Sequence, residues 1–304
     1  MRLTTLSLGF CGIDMTEFLL NPARLSFQVP QVLAGLLLAG NRGEGRLSGN
    51  GDCILVDGPL GLVALADGAE RSPKASRVFL QALAERMQVA AGPGNAGDRR
   101  ARLVNATQAV LESFPYEDRT TFLCLTPLED GSVFYVGGGD SLLFHLDPAA
   151  DRILFHNRSN MGFAGRSQGI MDSGSLTPKK DDLLLLASDG LWDLLRGRRR
   201  DLIRFVFETL KEGPMHAFPE TLVRGRHPAY QEGVERPYDD LSLLVVCPGR
   251  FARIRSRVIL GGTGNRLENH YRQLCQQHSL PDRYVRLPPG DPRLWIFPDQ
   301  LDLL

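Results

Sequence analysis

The chain has 304 residues, of which 43% are apolar, enough for one large domain or two ordinary ones with a substantial core. Thirty-five basic residues balance thirty-five acidic ones, so neither a nucleic-acid nor a membrane-surface partner is expected. Its five cysteines are scattered and form no Cys-x-x-Cys pair, which argues against a disulfide framework or a zinc site and for a reducing, cytoplasmic setting.

The N-terminal region lacks a basic-then-apolar leader pattern, and its apolar run 32–39 is too short to span a bilayer. That run reads as a buried strand or short helix. Residues 41–50, rich in Gly, Arg and Ser, read as a loop. Two apolar runs, 53–56 and 62–66, flank the turn 57–61 and predict a β-hairpin. Both runs are almost continuously apolar, so both faces should be covered. A helix is expected over 73–90, with Ser72 as N-cap, Pro73 at its first position, and Val78, Leu80, Leu83, Ala84 and Met87 on its apolar side. A second helix is expected over 99–114, burying Leu103, Ala106, Val110 and Leu111.

A second hairpin pairs 121–126 with 132–136. Strands follow at 141–146 and 183–187; a helix should start at 191–195 and run past the basic stretch 196–200; 241–246 is the last clear core strand. Strands and helices come in blocks, which favours an α+β fold with mainly antiparallel sheets. Residues 1–250 read as one catalytic domain and 251–304, richer in Arg, Pro and Gln, as a C-terminal extension.

The chemistry is carried by aspartates at strand ends. Asp52 and Asp67 bracket the first hairpin, and the outer ends of an antiparallel hairpin are neighbours. Asp189 ends the strand 183–187, and Asp239 precedes the strand 241–246. If those strands lie together, four carboxylates converge, and crowded like charges call for a cation. Oxygen ligands without a His or Cys cluster suit magnesium or manganese rather than zinc. Two such ions can generate hydroxide and clamp an in-line phosphoryl displacement. A single Asp at a strand boundary is ordinarily just solvated, and Asp57-Gly58 and Asp130-Gly131 read as simple turns. Four acids at matching strand ends set this group apart from solvated boundary residues.

In chain order, Asn50-Gly51-Asp52, Leu65-Ala66-Asp67-Gly68, Thr120-Thr121, Gly139-Asp140-Ser141, Ala187-Ser188-Asp189-Gly190-Leu191-Trp192-Asp193 and Asp239-Asp240-Leu241-Ser242 resemble the protein phosphatase 2C family of metal-dependent serine/threonine phosphatases, in its compact bacterial form. The match spans about residues 40–247. The resemblance implies a β-sandwich of two antiparallel sheets flanked by helices, with a binuclear Mn2+ or Mg2+ centre at one end. It implies that Asp67 bridges both ions, that the Gly68 carbonyl binds one, and that Asp189 and Asp239 hold the other. Asp52 would bind metal or metal-bound water, and Arg46, with Arg42 as a rival, would bind phosphate. Asp118 could serve a third, weak ion, though a surface-loop acid is the simpler reading.

Three departures stand out. Gly51 replaces an acidic or amide side chain, the loop after Gly68 reads Ala69-Glu70-Arg71-Ser72-Pro73 in place of a Gly-rich turn, and the stretch 157–173 is short for a substrate flap. The implied activity is hydrolysis of phosphoserine or phosphothreonine on a phosphoprotein, opposite a cognate kinase. A pseudophosphatase acting as a binding module and a small-molecule phosphatase are the alternatives. Gly261-Gly262-Thr263-Gly264-Asn265 lacks a P-loop lysine and reads as a turn-rich linker, and 269–278 as a short amphipathic helix.

Overall fold

The structure is a computed structural model and describes residues 18–21, 26–40, 50–69, 72, 74–91, 98–115, 117–166, 169–194, 199–230, 237–262 and 285–287. Among these, fourteen strands form an eight-stranded and a six-stranded sheet, and every pairing is antiparallel.

The first sheet takes β1 (Phe18–Asn21), β2 (Ser26–Val29), β3 (Leu33–Leu38), β8 (Leu142–Asp147), β9 (Arg152–His156), β11 (Leu183–Ala187), β12 (Leu241–Val246) and β14 (Val285–Leu287), in the order β14-β1-β2-β3-β12-β11-β8-β9. The second takes β4 (Asp52–Asp57), β5 (Leu62–Asp67), β6 (Phe122–Pro127), β7 (Val133–Gly138), β10 (Asp172–Leu176) and β13 (Arg257–Gly261), in the order β10-β7-β6-β5-β4-β13. The two sheets pack face to face through Phe27, Leu37, Ile54, Leu65, Leu123, Leu186 and Leu244. α1 (Ala75–Ala90) and α2 (Arg99–Ser113) cover the outer face of the second sheet; α3 (Arg199–Glu212) and α4 (Phe218–Arg224) cover the first. Both faces of the central strands thus meet a hydrophobic layer, which is why those strands read as unbroken apolar runs, whereas β9 and β10 at the sheet edges are partly exposed.

The expected fold class, an α+β sandwich of two antiparallel sheets between helices, is what the chain adopts. Three local expectations need correction. α1 starts at Ala75 behind Lys74, which makes no side-chain capping bond; Ser72 instead offers its backbone carbonyl to the Ala75 amide at 2.9 Å. Val78 faces solvent and Phe79 takes its place inside, stacked on Phe122 at 4.8 Å, because the helix presents one stripe and that stripe runs 75, 76, 79, 80, 83, 84, 87. The helix expected from 191 is a 3-10 turn, Asp189–Leu194, and α3 begins separately at Arg199.

Residues 257–261, inside what the sequence reads as an extension, form the edge strand beside β4. There Arg257 Nε donates to the buried Asp57 carboxylate at 2.7 Å. Asp57 does form its turn, accepting from the Leu60 amide at 3.0 Å, but it is also a fully buried ion-pair partner. The stretch 269–278 and most of the basic run 196–200 lie outside the described residues.

Candidate active site

The site sits where β4 and β5 of one sheet meet the ends of β11 and β12 of the other. Asp52 opens β4, Asp67 closes β5, and the register places them directly opposite each other. Asp189 follows β11 as the first residue of the 3-10 turn; Asp239 and Asp240 precede β12, the partner of β11. The four predicted acids are therefore delivered from four strand ends to one place. A cleft of about 180 Å³ opens there, lined by Asp67, Gly68, Asp140, Asp189, Asp239 and Asp240 on its acidic side. Asp52 lies behind this floor, fully buried.

Backbone ties hold the acids in position. The Asp67 amide donates to Thr121 Oγ1 at 3.0 Å, and its carbonyl accepts from Thr120 Oγ1 at 2.8 Å and from the Thr121 amide at 2.9 Å. Thr121 Oγ1 also lies 2.6 Å from Ser141 Oγ, so two motifs whose roles were opaque in the sequence act as a brace behind Asp67. Across the site, the Ser188 amide donates to the Ser242 carbonyl at 3.0 Å and the Ser242 amide to Ser188 Oγ at 2.9 Å, locking β11 to β12. The Asp239 amide donates to the Asp193 carboxylate at 2.7 Å.

The electrostatics are those of crowded anions. Burial and the Asp240 charge push the Asp52 carboxyl up to about 8. Neither of its oxygens makes a hydrogen bond of normal geometry, and the nearby Ser188 and Ser242 hydroxyls offset only part of the rise. Asp67, recessed at the cleft floor, is raised well above the carboxylate range, first by burial and then by Asp52, Asp189 and Asp239. A fully buried carboxylate with both oxygens orphaned, beside a second one repelled by its neighbours, is a donor set for a hard cation. As placed, no group of three His, Cys, Asp or Glu side chains among the described residues forms a ready metal cage. The chemistry of the donors nevertheless fits divalent Mn or Mg.

Asp240 was missed by sequence reasoning. Its carboxylate accepts from the Gly40 amide at 2.6 Å and the Gly51 amide at 2.7 Å, the two ends of the glycine-rich segment. A carboxylate therefore touches position 51 although Gly51 itself offers none. Asp140 and Arg119 also line the cleft; only the motif around residues 139–141 hinted at the former. Asp118 does not line it. Arg46 and Arg42 lie outside the described residues, as do Glu70 and Arg71. The thiols of Cys53 and Cys124 are buried and pushed up, Cys53 to about 12, so neither is a nucleophile. His145 is likewise structural, its Nε2 2.8 Å from Asp182 Oδ2.

Comparison with known proteins agrees with this architecture. The PPM Ser-Thr phosphatase MsPP from Mycobacterium smegmatis, solved with cacodylate, superposes with a TM-score of 0.53 at 20% identity over 71% of this chain and 98% of its own. The SiaA-PP2C domain of Pseudomonas aeruginosa gives 0.51 at 14% identity, covering 70% of this chain and 85% of that domain. Both likenesses establish the phosphatase 2C fold. Comparison with curated proteins finds no match. The sequence model of the stage II sporulation protein E (SpoIIE) family matches residues 65–248, which include Asp67, Asp189 and Asp239, and the chain belongs to that family.

Proposed function

We propose that this protein is a metal-dependent protein-serine/threonine phosphatase that hydrolyses phosphoserine or phosphothreonine on phosphoproteins, opposite a cognate kinase. The observation that carries the reading is the meeting of Asp52 and Asp67, paired across one hairpin, with Asp189 and Asp239 from the facing sheet. Cacodylate in the similarly folded MsPP is a tetrahedral oxyanion, which is in keeping with phosphate chemistry in such a cleft.

In this reading Asp67 and the Gly68 carbonyl hold metal on one side, and Asp189 and Asp239 on the other. Two Mn2+ or Mg2+ ions bound there would supply an activated water and neutralise the phosphoryl oxygens. Asp52, directly behind Asp67, binds metal or orients that water; the brace of Thr120, Thr121 and Ser141 keeps Asp67 from swinging away. Arg46 is the proposed phosphate-binding residue, a planar guanidinium suited to two phosphoryl oxygens. The water oxygen joins phosphorus, the bond from phosphorus to the seryl or threonyl oxygen breaks, and the alcohol departs with a proton. Free, buried Cys53, Cys124 and Cys247 support a cytoplasmic setting, and no described helix is long and apolar enough to cross a membrane.

The test is hydrolysis of p-nitrophenyl phosphate and a phosphothreonine peptide with manganese, with magnesium and with chelator. We expect turnover only with metal, and a loss of about 100-fold or more in Asp67→Asn and Asp189→Asn. Full activity in both variants would sink the assignment. A binding module that keeps the fold would take up no manganese in a calorimetric titration and turn over nothing.

A further inference from the structure

β13 ends at Gly261, and Gly262 follows it; in the sequence these two open a turn-rich linker. The structure gives them a further task. Both take positive φ, 79° and 61°, a left-handed backbone that glycine adopts without steric cost. There the Gly262 amide donates to the Asp52 carbonyl at 2.7 Å. The approach leaves no room for a side chain. A Cβ on Gly261 would overlap the Asp52 carbonyl oxygen, and one on Gly262 would overlap Arg77 Cβ and Ser76 Oγ at the start of α1.

Two side chains of α1 close the arrangement. Arg77, only 4% exposed, donates from Nη1 to the Gly261 carbonyl at 2.9 Å. A buried guanidinium is costly to place, and this one is spent on the backbone of the turn beside Asp52. Its charge also reaches Cys53, the neighbour of Asp52, where it opposes part of the rise that burial imposes on the thiol. Ser76 Oγ donates to the Gly51 carbonyl at 2.5 Å, and the Gly68 amide donates to the same carbonyl at 3.0 Å. Neither Asp52 oxygen makes a hydrogen bond of normal geometry, so the direction of the carboxylate rests on its backbone. That backbone is held by α1 and by the end of β13. Arg257, in contrast, secures the same strand at Asp57, the opposite end of β4.

We propose that Arg77, Gly261 and Gly262 form a positioning bracket for Asp52, through which the C-terminal strand β13, beyond the stretch 65–248 that marks the family, sets where Asp52 stands against Asp67 and so how tightly the acids take up a divalent cation. The bracket rests on the phosphatase reading and adds to it positioning residues that touch neither substrate nor metal.

The experiment is a calorimetric titration of the metal-free full chain with manganese, beside manganese-supported hydrolysis of p-nitrophenyl phosphate. In Arg77→Ala and in Gly262→Ala, manganese affinity and kcat should each fall about tenfold or more, with KM changed less than about twofold, as when groups that orient metal ligands are removed. Arg77→Lys keeps one donor for the Gly261 carbonyl and should recover part of both. Arg257→Ala is the control: it loosens the far end of β13, so it should lower the melting temperature while manganese affinity stays within about twofold of the wild type. Circular dichroism melts identify the folded variants. Should Arg77→Ala or Gly262→Ala fail to fold, Arg77→Lys set against Arg257→Ala decides: weaker manganese binding in the first alone upholds the bracket, and equal binding overturns it. Wild-type affinity in a folded Arg77→Ala or Gly262→Ala, or an equal loss in Arg257→Ala, also overturns it. If the wild type binds manganese and hydrolyses p-nitrophenyl phosphate while these variants match it, the phosphatase reading stands without the bracket; if the wild type takes up no manganese, both fall.

Discussion

Asp52 concentrates the tension of the site in one side chain. Its carboxyl is raised from 3.8 to about 8 by burial and by Asp240. For an acid whose folded pKa exceeds its unfolded one, the native state holds the extra proton, so stability falls as pH rises between those two values and is constant outside them. The metal-free protein should therefore melt at progressively lower temperature from about pH 4 to about pH 8, and manganese should flatten that slope. Asp52→Asn should stabilise the metal-free protein by roughly 1–3 kcal/mol near pH 8 while abolishing turnover. Thermal melts with and without manganese check both; an unchanged slope in Asp52→Asn would assign the effect to another group. The convergence of Asp52, Asp67, Asp189 and Asp239 was legible in the sequence because hairpin ends and strand ends are local. It could not show Asp240 reaching Gly40 and Gly51, since that depends on three distant segments meeting.

At the scale of elements, the geometry of the acidic site depends on small residues between strands. Ser188 and Ser242 hold β11 and β12 at the level of Asp189 and Asp239. Ser188→Ala deletes one buried bond and should cost about 1 kcal/mol in urea unfolding, with a larger proportional loss of activity as Asp189 and Asp239 separate. Gly138→Ala meets both the Gly162 carbonyl and the Phe122 ring, and should destabilise by about 1–3 kcal/mol. A melt matching the wild type would show that the backbone around Gly162 yields freely. Helix α1 marks the limit of local reading. Its existence and extent followed from apolar spacing, yet its start did not, because the chain satisfies the first amides with the Ser72 carbonyl rather than a capping side chain. Nor could spacing choose between Val78 and Phe79; Phe122, on a strand more than forty residues away, makes that choice.

Over the whole molecule, the sandwich is closed by residues late in the chain. Ile254, Val258 and Leu260 enter the central core, Ile259 packs beneath α1, and Arg257 neutralises the buried Asp57. Arg257→Ala leaves that carboxylate without its cation, and should cost about 1–3 kcal/mol in denaturant unfolding. Ending the chain at residue 250 would remove all of these contacts together, and should give a protein that fails to unfold cooperatively. A truncated form melting like the full chain would refute this. Antiparallel blocks of strand and helix made the fold class legible; the pairing of β13 with β4 was not, because a five-residue strand in an Arg- and Pro-rich stretch carries little periodic signal.

The pairing of β1 with β14 has a consequence in time. Phe18, Leu19 and Leu20 stand opposite Leu287, Arg286 and Val285, so almost the entire polypeptide separates the two partners. During synthesis the rim of the larger sheet must wait, its amides and carbonyls open, until the last of these residues leaves the ribosome. Closing so long a loop is slow, and it leaves an adhesive edge exposed to other nascent chains. Between translation of residue 20 and residue 285, β1 therefore presents an open edge to any other strand it meets.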